Sequence, residues 1–139
     1  MMDAMVFDRT EDIRNGSRTL MYDPIRTRNV GDLFGVTSYY DLTVLICEVT
    51  DVSEVHLLDD LQNEESVTAL GRTKKELLQR WTVAHPNTPT ESNPLVFRID
   101  FRWTGKTETR QYISMIEEED ARCFAIMDAA AKAIASETD

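Results

Sequence analysis

Apolar and polar side chains alternate most clearly over residues 95–103. Phe, Ile, Phe and Trp occupy every second position from 97, with Arg and Asp between them. This period of two is typical of a strand with one buried face, and the aromatic residues favour a pleated surface. Thr104-Gly105-Lys106 predicts a turn, because Gly adopts positive φ without strain. With a return strand over about 107–115, the pattern predicts a β-hairpin.

A helical pattern follows this predicted hairpin. Ser114-Met115-Ile116-Glu117 matches the capping box, in which Ser and Glu satisfy free N–H groups at a helix start. Four acidic residues at 117–120 suit the positive end of the helix dipole. Apolar side chains recur at Phe124, Met127, Ala131 and Ile134 and form one stripe. The sequence therefore predicts a long amphipathic C-terminal helix.

Upstream, residues 39–52 predict a second strong strand. Both of its faces are largely apolar over 44–47, which favours a central position in a sheet. A shorter strand is predicted at 18–22, ending at Asp23-Pro24. Residues 54–61 fit either a strand or a short helix, and the sequence leaves both open.

A second capping box, Thr73-Lys74-Lys75-Glu76, predicts a helix with an apolar side. This helix should end at His85, because a residue before proline is displaced from the helical region. Residues 62–66 and 86–94 are predicted as loops, and the second of these contains three prolines.

These elements predict an α+β fold: an antiparallel β-sheet or partly open barrel packed by a C-terminal amphipathic helix. The chain has 139 residues, which is the size of one domain, and we assign residues 18–139 to a single globular domain. Residues 1–17 are highly charged with weak periodicity, so partial order and a flexible arm both stay open for them.

Charge is the strongest functional signal. The chain has 15 basic and 25 acidic residues and a net charge of −10. This argues against nucleic-acid binding and against attachment to an anionic membrane surface. Between Arg28 and Arg72 there are nine acidic residues and no Lys or Arg. Such polarisation serves solubility or forms a surface for a basic partner protein.

Within this acidic stretch, the candidate partner-binding residues are Asp59, Asp60, Glu64 and Glu65. Paired carboxylates in polar runs are more typical of a solvated face than of catalytic acids, which need apolar surroundings. Trp81 is added as a hot-spot candidate on the condition that it is exposed; core packing is the alternative.

Motifs for catalysis, metal or cofactor binding are missing from the sequence. Thr104-Gly105-Lys106-Thr107 lacks the first glycine of a P-loop, and neither His56 nor His85 has a metal ligand at helical spacing. Cys47 and Cys123 lie in apolar segments and are interpreted as reduced core thiols. We therefore expect no catalytic residue, no cofactor and no metal. Without a signal peptide, a cytoplasmic location is expected.

The segment FRIDFRW-TGK-TETRQYISM-IEEEDARCFAIMDAAAKAI resembles the end of a pleckstrin-homology-like domain, where two strands lead into a helix that plugs an open barrel. Phe124 stands where that family usually has Trp. The helix at 73–85 would be an insertion, and the basic phosphoinositide motif is not evident. The resemblance implies a protein- or peptide-binding member of that superfold. The order helix, hairpin, helix over 73–134 is also similar to acidic export chaperones of bacterial secretion systems, although their N-terminal helix is missing.

The sequence thus predicts a non-catalytic protein–protein interaction module, an adaptor or scaffold component that uses an acidic surface. One alternative is a secretion-type chaperone or inhibitor of a basic client. Another is a small enzyme with acidic catalytic residues. A homodimer is left open.

Overall fold

The computed structural model describes residues 3–7, 10–38, 43–109 and 114–117. Within these ranges, strands and helices follow one another without a clear division into an all-β and an all-α part. The elements are β1 (Asp3–Phe7), α1 (Glu11–Arg14), β2 (Leu20–Asp23), β3 (Leu33–Ser38), β4 (Thr43–His56), α2 (Leu57–Asp60), α3 (Glu64–Leu70), α4 (Lys74–Ala84), a 3₁₀ turn (Thr90–Ser92), β5 (Leu95–Thr109) and β6 (Ser114–Glu117).

The six strands form one sheet in the order β2-β5-β4-β3-β1-β6. The pairs β2–β5, β5–β4 and β4–β3 are antiparallel, whereas β1 pairs in parallel with both β3 and β6. The predicted α+β class is confirmed, but the sheet is mixed rather than antiparallel. Among the described residues β2 and β6 are the two ends of the order, so the sheet is not closed. The predicted C-terminal helix lies outside the described residues.

The predicted hairpin turn at 104–106 is wrong. β5 runs without a reversal through this segment and pairs with β4 on both sides of it, with Cys47 opposite Trp103 and Leu45 opposite Thr107. The extra residues of β5 therefore form a bulge in a continuous strand. Instead of a strand that follows it, β5 pairs with β4 and β2, which both precede it in sequence.

Side chains within the bulge hold its shape. The hydroxyl of Thr104 donates to the Ile46 carbonyl at 2.8 Å, and the indole N–H of Trp103 donates to the Lys106 carbonyl at 2.9 Å. Gly105 has a φ of 88°, which is the conformation that the turn prediction relied on. A glycine with positive φ occurs in bulges as well as in turns. The sequence therefore predicted the backbone conformation of Gly105 correctly, but the prediction of a turn was wrong.

The capping box predicted at Ser114 is also wrong. Ser114–Glu117 is strand β6, which pairs in register with β1 from Asp3 opposite Ser114 to Val6 opposite Glu117. Residues 1–17, for which the sequence left order open, thus contribute β1 to the interior of the sheet and α1 beside it. Backbone hydrogen bonds between β6 and β1 thus outweigh the local preference of the sequence at Ser114 for a helix start.

Other local predictions agree with the structure. β4 is a central strand, and its residues 44–47 are buried as predicted. The segment 54–61, for which strand and helix were both left open, contains one after the other: β4 continues to His56, and α2 begins at Leu57. α4 begins with the predicted capping box between Thr73 and Glu76. The predicted polar loop 62–66 is partly wrong, since α3 already begins at Glu64.

Buried apolar side chains form two clusters, one on each face of the sheet. Met21 belongs to the first and its neighbours Leu20 and Tyr22 to the second, and successive residues of a strand point to opposite faces. Helices α2 to α4 cover the second cluster. The first contains Met5, Phe7, Ile13, Met21, Phe34, Val36, Leu45, Cys47, Val49, Ile99 and Phe101; the second contains Leu20, Tyr22, Leu57, Leu61, Leu70, Leu77, Trp81 and Val96.

Candidate functional site

At one end of the sheet, β2 and β4 end and the antiparallel strand β5 begins. Asp23 lies opposite Phe97, and Phe97 lies opposite Glu54. Two rows further on, and so on the same face of the sheet, Leu95 lies opposite His56. Residues opposite one another on paired strands share a face. The sheet therefore places Glu54, His56 and Leu95 close together on one face, at the point where the chain passes from β4 into α2.

A cleft of about 390 Å³ opens at this position, between the last residues of β4, the first residue of β5 and the two short helices after β4. Three carboxylates and two apolar side chains contribute to its walls, and Leu95 is 52 % exposed. No Lys or Arg of the described ranges lines it. We call it the acidic cleft; its lining residues are Glu54, Val55, His56, Asp59, Asp60, Asn63 and Leu95.

The Asp60 carboxylate in this cleft already has a basic partner. The guanidinium of Arg98 donates to both of its oxygens, at 3.2 and 3.3 Å, and the Tyr22 hydroxyl donates to it as well. Arg98 also binds Asp100 at 3.1 and 3.2 Å and the hydroxyl of the buried Ser66 at 2.7 Å. Burial, followed by the contact with Asp60, raises the pKa of Tyr22. These hydrogen bonds connect β2, β5, α2 and α3 to one another.

Asn93 fixes the other side of the cleft. It has a φ of 48°, the left-handed conformation that Asn tolerates better than most residues. Its side-chain oxygen accepts a hydrogen bond from the Leu58 N–H at 2.8 Å, and its amide donates to Asp59 at 3.1 Å. Its backbone carbonyl lies 3.0 Å from Nδ1 of His56. His56, the N-cap residue of α2, makes no capping bond of its own, so Asn93 caps that helix from a distant loop.

The structure separates the four acidic residues that the sequence proposed. Asp59 and Asp60 line the cleft, while Glu64 and Glu65 lie exposed in the first turn of α3, directly after the cleft residue Asn63. Among the described residues, none makes an ion pair with Asp59, Glu64 or Glu65. Asp60 differs, because it forms an ion pair with Arg98, which Asp100 shares.

Trp81 does not belong to any accessible surface. Its side chain is fully buried in the second cluster, and its indole N–H donates to the Thr88 carbonyl at 2.9 Å. The ring also packs on His85, at 4.5 Å between centroids. The hot-spot role proposed for Trp81 required exposure, so it is corrected in favour of core packing.

Of the seven residues that line the cleft, sequence reasoning had proposed only Asp59 and Asp60, and it also missed Asn93 beside them. Glu54 lay in the segment whose structure was ambiguous, and Leu95 was the first residue of a strand whose partner was misassigned. Asn93 lay in the proline-rich loop; its one local signal is the pair Asn93-Pro94, which is typical of turns. The sequence alone could not place these residues near Asp59, because their proximity depends on the pairing of β4 with β5.

Other candidate sites in the described part of the chain are less developed. No three of its His, Cys, Asp and Glu residues are grouped to hold a metal ion. Cys47 is a buried free cysteine, and burial raises its pKa to about 12, so its thiol is poorly suited to act as a nucleophile. A second cleft of about 520 Å³ beside α4 is lined by Lys74, Lys75 and uncharged residues. None of the described helices has the length and apolar character needed to cross a membrane.

Comparison with known proteins gives a fold and no family. No protein-family model matches the chain, and no curated protein matches its sequence. Protein EF3133 from Enterococcus faecalis V583, described by the family model DUF984, has a similar solved structure, with a TM-score of 0.55 and 13 % identity over 75 % of this chain and 80 % of that one. An ASCH domain from Lactobacillus crispatus JV V101 matches with a TM-score of 0.49 and 18 % identity over 73 % of this chain and 79 % of its own.

At these identities the similarity to EF3133 shows a common fold alone. Neither structure is described as pleckstrin-homology-like, and that resemblance stays a prediction from the sequence. The chain is therefore an α+β protein with the fold of EF3133 and an acidic cleft at one end of its sheet.

Proposed function

We propose that the protein is a non-catalytic binding module, an adaptor or scaffold component, whose acidic cleft receives a basic segment of a partner protein. One observation carries the proposal: Glu54 and Asp59 open into a single cleft beside the exposed Leu95, and neither forms an ion pair with a described residue. Lys and Arg combine a long aliphatic stem with a cationic head. Val55 and Leu95 would contact the stem while the carboxylates bind the head.

Preorganisation supports this proposal. The Asn93 amide holds the Asp59 carboxylate in place, and Leu57 N–H is bound by the Pro94 carbonyl at 3.0 Å, so the wall of the cleft is fixed before a ligand arrives. A fixed site loses less conformational entropy on binding than a mobile one. Glu64 and Glu65 extend the negative surface beyond the cleft. Charges at such a rim mainly speed the encounter with a basic partner.

A peptide-binding experiment tests the proposal directly. The probe is a fluorescein-labelled peptide of alternating arginine and leucine, and the control peptide has glutamate in place of arginine. Fluorescence anisotropy at low salt should show binding of the basic peptide only. Binding should weaken as salt is added, because exposed charge pairs are screened.

The double variant Glu54→Lys, Asp59→Lys should raise the Kd for the basic peptide about 30-fold. Reversing two exposed charges costs about 1 kcal/mol each, and about 1.4 kcal/mol is a factor of ten. The matched control is Glu11→Lys with Glu108→Lys, which makes the same change in net charge at exposed positions on α1 and at the far end of β5. Equal affinities of the two folded double variants would exclude the acidic cleft as the binding site.

A further inference from the structure

The connection from α1 to β2 contains the pair Asn15-Gly16. The chain has five asparagines, and the other four are followed by Val30, Glu64, Thr88 and Pro94. Proline has no N–H to give up, and a side chain on the next residue hinders the approach of its backbone nitrogen to the asparagine amide, whereas glycine has neither restriction. Among the five, Asn15 is therefore the asparagine that the following backbone nitrogen can attack most easily.

The surroundings of this pair leave room for such an attack. Asn15 and Gly16 are exposed, and a Cβ built on Gly16, whose φ is 79°, would have no atom within 4 Å. The Gly16 N–H donates to the Ile13 carbonyl at 3.3 Å, which is a long hydrogen bond. Asn15 is the C-cap of α1, a helix of only four residues, so little regular structure opposes the rotation that brings the Gly16 nitrogen to the Asn15 side chain.

Two hydrogen bonds from Ser17 activate the Asn15 amide. The Ser17 N–H donates to Asn15 Oδ1 at 2.9 Å, and the Ser17 hydroxyl donates to the same oxygen. Both bonds withdraw electron density from the amide carbon, Cγ. They also end on the atom that would carry the negative charge of a tetrahedral intermediate, as the donors of an oxyanion hole do. The fold therefore presents an activated carbon beside a weakly held nitrogen.

We propose that Asn15 is a self-modification site of the folded protein, and that one of its products destabilises the fold. The Gly16 nitrogen forms a bond to Asn15 Cγ, and the bond from Cγ to the side-chain nitrogen breaks. That nitrogen leaves as ammonia and takes up the proton from the Gly16 N–H, so the product is a cyclic imide. Water then opens the imide. Attack at the side-chain carbonyl gives aspartate, and attack at the backbone carbonyl gives isoaspartate.

Isoaspartate lengthens the backbone by one methylene between two fixed points. Ile13 is buried on one side, and on the other the Arg18 N–H donates to the Asp12 carbonyl at 2.9 Å. A Cβ on Gly71 would lie 3.2 Å from Arg18 Cβ and 3.5 Å from the Ser17 carbonyl oxygen, so this segment already packs closely on that glycine. The longer backbone has to displace these contacts. We therefore expect the isoaspartyl form to be less stable than the aspartyl form.

Peptide-resolved mass spectrometry of the folded full chain, incubated at mildly alkaline pH, tests the site. Conversion should occur at Asn15 well ahead of Asn29, Asn63 and Asn87, which are internal controls in the same sample. Ser17→Ala loses the hydroxyl donor but keeps the N–H, so it should convert about fivefold more slowly than the wild type when both are folded. In urea, where the fold no longer supplies that hydrogen bond, the two chains should convert at similar rates.

The stability of the products tests the second half of the proposal. After chromatographic separation, the isoaspartyl fraction should unfold at a lower urea concentration than Asn15→Asp, which has the same composition with a normal backbone. An intact Asn15 after incubation, or equal conversion at the control asparagines, would overturn the assignment of the site. Equal rates for folded wild type and folded Ser17→Ala would overturn the activation by the fold, and equal urea midpoints would overturn the effect on stability. None of these outcomes depends on the acidic cleft.

Discussion

Asn93 offers the most informative perturbation of the fold, because one side chain connects the loop before β5 to the start of α2. In Asn93→Ala, the N–H of Leu58 loses its acceptor and the Asp59 carboxylate loses its amide donor. The replacement must also adopt the left-handed conformation at φ 48°. Asn93→Gly removes the same two hydrogen bonds but accepts that conformation without strain.

The expected loss can be worked out from these contacts. A missing helix cap costs about 1 kcal/mol of unfolding free energy. The exposed hydrogen bond to Asp59 contributes about 0.5 kcal/mol. The left-handed conformation costs alanine about 1 kcal/mol more than it costs asparagine or glycine, which adopt it more readily. We therefore expect Asn93→Ala to lower the unfolding free energy by about 2.5 kcal/mol and Asn93→Gly by about 1.5 kcal/mol.

Urea unfolding followed by circular dichroism measures both values, and equal slopes against urea would show that the variants unfold from similar native states. The order of the variants matters more than either value. A loss below about 0.5 kcal/mol for Asn93→Ala would mean that α2 does not depend on this cap. Equal losses for Ala and Gly would mean that no backbone strain is held at Asn93.

Two further predictions concern groups in the interior. Arg98→Met should lower the unfolding free energy by about 2 kcal/mol, since it leaves the half-buried Asp60 without its counter-charge; urea unfolding checks this, and a wild-type midpoint would contradict it. Burial raises the pKa of Cys47 to about 12 from 9.0, so its contribution to stability is complete below pH 9 and is lost as the pH rises towards 12. At about pH 8 iodoacetamide should therefore modify the peptide containing Cys47 only at the rate of unfolding, as peptide-resolved mass spectrometry can show. Rapid modification of the native protein would contradict the burial.

Sequence patterns predicted those elements whose cause is local. The capping box at Thr73 and Glu76 closes within one helical turn, and the burial of residues 44–47 follows from their own composition. At Gly105 and Ser114 the same kind of signal led to a wrong prediction. Positive φ suits a turn and a bulge equally, and a capping sequence can form a strand when β1 supplies hydrogen bonds. In both cases the structure depends on pairing with a strand that is distant in sequence, and the local pattern of residues contains no information about that pairing.

The candidate site shows the same division. The density of acidic residues pointed to Asp59 and Asp60, and both line the cleft. Sequence reasoning could not distinguish them, because the difference lies in Arg98, which reaches Asp60 from β5. Leu95 and Glu54 join the site through the pairing of β5 with β4, which spans the whole helical connection.

That difference decides how the acidic surface must be tested. Reversing Asp60 would place a positive charge beside the guanidinium of Arg98 and leave the Tyr22 hydroxyl without its acceptor. Lost binding in such a variant would report lost structure. Glu54 and Asp59 line the same cleft without such an ion pair, and the Asp59 carboxylate accepts a hydrogen bond only from the amide of Asn93 among the described residues. The negative charge that holds the helices on the sheet is thus separate from the negative charge that faces solvent, and only the second is available to a partner.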